Sequence, residues 1–177
     1  MNEIIFSLCH KPVIGPIMLI SSLCIFEPPI DQASVLLKDK GVILNKTFDA
    51  PVSKKYFVEL NVKHTPEQAD TVRALIGYRY INPDIKLDEI PPEIRPKLGV
   101  QTPLEITIYR ESDNAVISNT QAVGLGRIAH TRTEVMRKLK SVELTKGRYR
   151  LVVSNHSDLS AFSNFSTSIS ITSGHAK

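Results

Sequence analysis

The sequence predicts a mainly β protein: an antiparallel, immunoglobulin-like β-sandwich with one short helix at about residues 66–76. Three observations predict it. Several segments alternate apolar and polar side chains with the period of two that marks a half-buried strand. A single stretch, "TPEQADTVRALIG", carries helical spacing instead. Finally, the strands succeed one another through short turn sequences. There is no strand–helix–strand rhythm and no repeat of 20 to 50 residues, which excludes parallel α/β and solenoid architectures.

Strand patterning begins at Gly41–Ala50, "GVILNKTFDA". In "KYFVELNVKH" it is clearest: Tyr56, Val58, Leu60 and Val62 fall on one face, and Phe57, Glu59, Asn61 and Lys63 on the other. The helix follows. Thr65 is placed as N-cap, Pro66 at the first helical position and Gln68 where a capping box needs it. Ala69, Val72, Leu75 and Ile76 make its apolar stripe, and Gly77 ends it. Residues 82–99 carry too much proline for regular structure and predict a long ordered loop.

Leu104, Ile106 and Ile108 then alternate in "PLEITIYR". Glu111–Asn114 supplies turn residues and "AVISNTQ" returns, giving a hairpin. "RIAHTRTEV" reads as an edge strand, and "KSVELTKGRYRLVVSN" as a second hairpin turning at Thr145–Gly147. In the latter, Tyr149, Leu151 and Val153 point to one side. Ile169 and Ile171 supply the closing strand, with Phe162 and Phe165 covering a sheet end.

The chain's 177 residues, 42% hydrophobic and 23% charged, suit one domain with a substantial core. Its net charge of +4 does not by itself imply nucleic acid. Both cysteines, Cys9 and Cys24, lie near the N-terminus, so the rest of the chain offers no thiol nucleophile and no cysteine-based zinc site. Residues 12–26 are uncharged, with Lys11 before and Glu27 after. As a helix they would reach about 22 Å, short of the roughly 30 Å hydrocarbon core of a bilayer. A basic residue, a short apolar run and then polar sequence describe an export signal; a buried N-terminal element is the competing reading. The expected organisation is a signal or lipoprotein-type leader at 1–26, a linker at 27–40 and one sandwich domain at 41–173.

No motif names a reaction. The five histidines form no metal-binding spacing. His64 is expected at the surface. His156, Ser157 and Asp158 are neighbours in sequence, whereas a catalytic triad converges from separate segments. "GLGR" at 124–127 lacks the third glycine and the following helix of a phosphate loop. Asp84, Asp88, Glu89 and Glu93 crowd the proline-rich loop without calcium-loop spacing. The sustained asymmetry is basic: Arg127, Arg132, Arg137, Lys138, Lys140, Lys146, Arg148 and Arg150 face only Glu134 and Glu143, a local charge of +6. A solvated, edge-protecting sheet face explains such a run, and so does a surface for an anionic partner.

"LTKGRYRLVV", with "GVILNKTFDAPVSKKYFVEL" and "GVQTPLEITIY", resembles a family of small Gram-negative envelope proteins of unknown function. The likeness spans roughly residues 40–172. The family begins with a lipoprotein signal and continues as one β-sandwich, and some envelope sandwiches of this size look like immunity proteins that neutralise toxins. The resemblance therefore implies export to the periplasm and a tether through the leader or through an acylated Cys24. Here Leu23 stands where the lipoprotein pattern has a small residue, so acylation and simple cleavage both stay open.

The function expected from the sequence is a non-catalytic, exported binding protein of the bacterial envelope. It would need no cofactor and no metal, bind no nucleic acid, and recognise a protein, acidic in character, through Arg127, Arg132, Arg137, Lys138, Lys140, Arg148 and Arg150. A toxin is one such partner. Two alternatives are a structural or carbohydrate-binding module using Tyr78, Tyr80 and Tyr109, and a hydrolase using the acidic loop at 84–93.

Overall fold

The computed structural model describes residues 28–77, 85, 87–124 and 129–173, and within these nine strands divide between two antiparallel sheets. One sheet runs, in spatial order, β1 (Ile30–Val35), β9 (Ser166–Thr172), β3 (Lys54–Lys63), β7 (Glu134–Leu144) and β6 (Ala129–His130). The other runs β2 (Gly41–Ala50), β8 (Gly147–Asn155), β4 (Leu104–Arg110) and β5 (Val116–Gln121). This is the β-sandwich that the alternating segments predict. Tyr56, Val58, Leu60 and Val62 from β3 share one buried core with Ile106 and Ile108 of β4 and Tyr149, Leu151 and Val153 of β8. Burial of such side chains stabilises by about 1.5–3 kcal/mol each, so these central rows dominate the fold's energetics.

The expected linker at 27–40 is not one. Residues 30–35 form β1, paired with β9, and Ile30, Val35 and Leu37 are buried. The strand was hidden because Ile30 and Val35 are five residues apart, which a strict period of two would put on opposite faces. A register shift between Ile30 and Ala33, with Gln32 at φ +38°, restores both to the core. The preceding prolines are no obstacle, since a strand's first residues tolerate them.

The expected hairpin at Thr145–Gly147 is an inter-sheet corner. β7 pairs with β3 in one sheet, whereas β8 pairs with β2 and β4 in the other. The Tyr149 hydroxyl donates to the Thr145 carbonyl at 2.9 Å, the hydrogen bond of a tyrosine corner. Its ring stacks on Phe48, centroids 5.8 Å apart. Tyr56 repeats the device with the Val52 carbonyl at 2.8 Å, where the chain crosses from β2 to β3. The two crossings are joined, because the Lys146 amide donates to Ser53 Oγ at 2.9 Å. Turn residues alone do not distinguish a hairpin from a corner, which is why sequence pattern misassigned this one. The β4–β5 hairpin stands as expected.

A 3₁₀ turn, Pro66–Gln68, leads into α1 (Ala69–Ile76). The Thr65 amide donates to Gln68 Oε1 at 3.0 Å, as a capping box requires. Val72 and Ile76 are the buried face. Beyond α1, the described part of the proline-rich loop turns through Leu87–Glu89 and Arg95–Leu98 and packs a small cluster of its own around Ile90 and Leu98.

Candidate functional site

The basic run from 127 to 150 is one stretch of sequence but not one surface. Arg127 lies outside the described residues. Arg132 is exposed between β6 and β7. Lys138 stands opposite Glu59 on the outer face of its sheet, with Nζ 3.6 Å from the centroid of the Phe57 ring. Lys140 is half-buried at the register shift against Val58 and Glu59. Arg148 and Arg150 lie across the sandwich, on the outer face of the second sheet. Arg148 is in register with Asp49. Arg150 donates to Glu111 at 3.2 Å and to Asn114 at 2.7 Å, and its guanidinium lies 4.5 Å above the Tyr109 ring. Carboxylates on the same faces therefore offset much of the local charge.

Arg137 corrects the expectation outright: it is fully buried and cannot meet a partner. It stands on a core-facing row, opposite Leu60 and between Val135 and Leu139. Nη1 donates to the Val100 carbonyl at 2.7 Å and to Thr102 Oγ1 at 2.9 Å, and Nη2 to the Ile76 carbonyl at 2.8 Å. Longer bonds reach the carbonyls of Leu75 and Leu98. Those of Leu75 and Ile76 lie at the C-terminal end of α1, where a cation is favoured by the helix dipole. Burial pushes the guanidinium down to about 9, which leaves it protonated at neutral pH.

Three glycines make room for this arrangement. Gly77 and Gly99, at φ +88° and +76°, bring two backbone segments so close that a Cβ on either would overlap the other. A Cβ on Gly124 would overlap Thr102, whose amide and hydroxyl both donate to the Gly124 carbonyl at 3.0 Å. Arg137 thus ties the helix end, the proline-rich loop and the segment after β5 to the core. Its role is architectural.

The other sequence candidates stay apart. Asp88, Glu89 and Glu93 are exposed on the loop, and Asp84 lies outside the described residues. No group of three metal-ligating side chains occurs among the described residues. His156 Nε2 lies 3.0 Å from Glu105, while Asp158 accepts the Ser160 amide, which holds its carboxyl below the ordinary range. His64 is not a surface residue: it is largely buried, with Nδ1 2.7 Å from the Thr65 carbonyl. Tyr78 and Tyr80 lie outside the described residues, as does Cys24, and the Tyr109 ring already carries Arg150.

Residues that sequence reasoning passed over form a groove of about 260 Å³ lined by Ser34, Val35, Leu36, Asp39, Val42 and Ile43. It lies where β1 gives way to β2, each the outer strand of its sheet. Leu36 is 60% exposed and Val42 63%, yet the turn bearing them is held firmly. Leu37 is buried, and buried Asn155 donates from Nδ2 to the carbonyls of Leu37 at 2.7 Å and Asp39 at 3.0 Å. Thr167 Oγ1 donates to the Val35 carbonyl at 2.7 Å. The signal in the sequence was "VLLKDKGVIL": of two consecutive leucines on a strand end, only one can face inward.

Fold and site together define a two-sheet β domain with an apolar groove at one open edge. The chain belongs to the family described as a domain of unknown function, DUF5625, whose model matches residues 27–173. It is similar in structure to a protein from Sulfurospirillum deleyianum solved by crystallography, with a TM-score of 0.66, 18% identity, and coverage of 82% of this chain and 98% of that one. At that identity the likeness is one of fold. No curated protein matches the chain.

Proposed function

We propose that this chain is a non-catalytic binding protein of the bacterial cell envelope, exported through its apolar leader and acting on another protein. A toxin effector is the partner class that its resemblance implies. The observation that carries this reading is the pair Leu36 and Val42, two large apolar side chains held in solvent by a turn that Asn155 fixes. Exposed apolar groups on a rigid rim mark contact surfaces more often than they mark catalytic ones. The dispersal of the basic run, and the offset of Arg150 by Glu111, move the expected contact from the charged faces to this edge.

A photo-crosslinking side chain at Val42, compared with one at Val116 on the opposite edge strand, tests the reading in the native cell. One envelope protein should crosslink at Val42 and not at Val116, and the purified pair should bind with an affinity that Val42→Asp weakens at least tenfold. Crosslinking absent from both positions, or equal at both, would overturn it. Mass analysis of the mature N-terminus distinguishes a diacylglyceryl group on Cys24 from simple cleavage, and an intact leader in a cytoplasmic fraction would refute export.

A further inference from the structure

We propose that the free edge of β2 takes up an extended segment of a partner protein as an added strand, with an acidic side chain of that segment set against Lys46. The proposal rests on the reading above that the domain works by binding, and it names the chemistry of the partner.

Among the described residues four strands bound the two sheets: β1, β6, β2 and β5. Three are poor templates. β6 has two residues, β5 has six, and β1 is broken by the Ile30/Ala33 shift with Gln32 at positive φ. β2 has ten residues and, past a shift at Val42/Leu44, stays in continuous register with β8 to Ala50. Asn45, Lys46, Thr47 and Asp49 are exposed along it. An edge of this length presents unpaired backbone donors and acceptors to any extended chain.

Lys46 decides which chain. It lies opposite Leu151, on the row that also holds Leu44 and Phe48, so it is a charged residue at a core-facing position. Among the described residues it makes no ion pair. A second copy of β2 centred on Lys46 would oppose two ammoniums. A neutral strand would strip water from one ammonium and return nothing. A strand with a carboxylate at that position satisfies the charge, so Lys46 repels the first, disfavours the second and selects the third. That row ends at Leu44, because the register shift beyond it sets Val42 opposite outward-facing Ser154, so the partner carries apolar side chains two positions to either side of its acid, against Leu44 and Phe48. Exposed Lys38 and Lys40 on the adjoining turn favour further negative charge there.

The test uses the full chain and three fluorescent synthetic peptides. Each alternates threonine with a core-facing row that is valine except at one site, where it carries aspartate, lysine or valine. Anisotropy should show the aspartate peptide binding at least about fivefold more tightly than the valine peptide and the lysine peptide not binding. Lys46→Glu should reverse the order of the charged peptides. N-methylation of the peptide's ladder amides should abolish binding. Equal binding of all three peptides, or indifference to Lys46→Glu, would overturn the acidic chemistry while leaving the open-edge reading intact. Binding of none would overturn strand addition, again without touching the Val42 crosslink. A dimer of the full chain that Thr47→Pro dissociates would also overturn the proposal, because a second copy would then occupy the edge.

Discussion

Arg137 Nη2 and the carbonyl of Ile76 meet at 2.8 Å, so a cation rooted in the core closes the last turn of a helix 61 residues away in sequence. The contact makes one side chain responsible for the end of α1, for the descent of the proline-rich loop and, through Thr102, for the segment after β5. Substitution at Arg137 is expected to unfasten all three. Arg137→Met should lower stability by about 3–5 kcal/mol, the cost of breaking a buried charged network. Arg137→Lys should recover little of it, because an ammonium cannot span acceptors that a planar fork spans. Urea denaturation measures both, and a loss under about 1 kcal/mol for Met would refute the role.

Gly77→Ala and Gly99→Ala should each destabilise by more than about 2 kcal/mol, since the added methyl meets backbone and the positive φ disfavours any L side chain. Gly147→Ala is the control: its Cβ would meet only the Tyr149 ring at ordinary contact distance, 3.6 Å. Thermal midpoints compare the three.

Asn155→Ala should cost about 2–3 kcal/mol by orphaning buried carbonyls of the β1–β2 turn. It should also weaken partner binding at Leu36 and Val42 beyond what the change in stability explains. Asn155→Asp sets a carboxylate against two carbonyl oxygens and should be no better. A variant of native stability and native binding would sever the turn from the site.

Alkaline titration separates two buried groups of opposite sign. Burial raises the Tyr56 phenol above 10, the Val52 carbonyl counteracting weakly. Its contribution to stability is complete below pH 10 and lost as pH climbs through the raised value. Arg137 behaves inversely: its folded value of about 9 lies below its unfolded one, so stability falls as pH drops through about 9. Phenolate absorbance should show a component ionising above pH 10, and Tyr56→Phe should remove it.

Much of the fold was legible because one face of each central strand is wholly buried. The alternation at 56–62 and 149–153 has no other reading. What was missed had physical causes. The bulge in β1 broke the parity on which strand recognition depends. The inter-sheet corner used the same residues as a hairpin. Arg137 was read by its charge, although Val135 and Leu139 two positions to either side place it on the core row. The groove escaped because its defining bonds, from Asn155 to Leu37 and from Thr167 to Val35, join residues more than a hundred positions apart.

The pairing of Ile30 with Ile171 puts the start of β1 beside the end of β9. Tension between the chain ahead of Ile30 and the chain after Thr172 would pull on adjacent ends of this antiparallel pair and open its pairs one after another rather than shear them together. Among the described residues β1 has no neighbour on its other side. Under such tension β1 would peel away first, baring the β9 edge while the β3–β7 and β2–β8 ladders stay closed. Loaded between those two ends, the domain would have its mechanical fuse in its first strand.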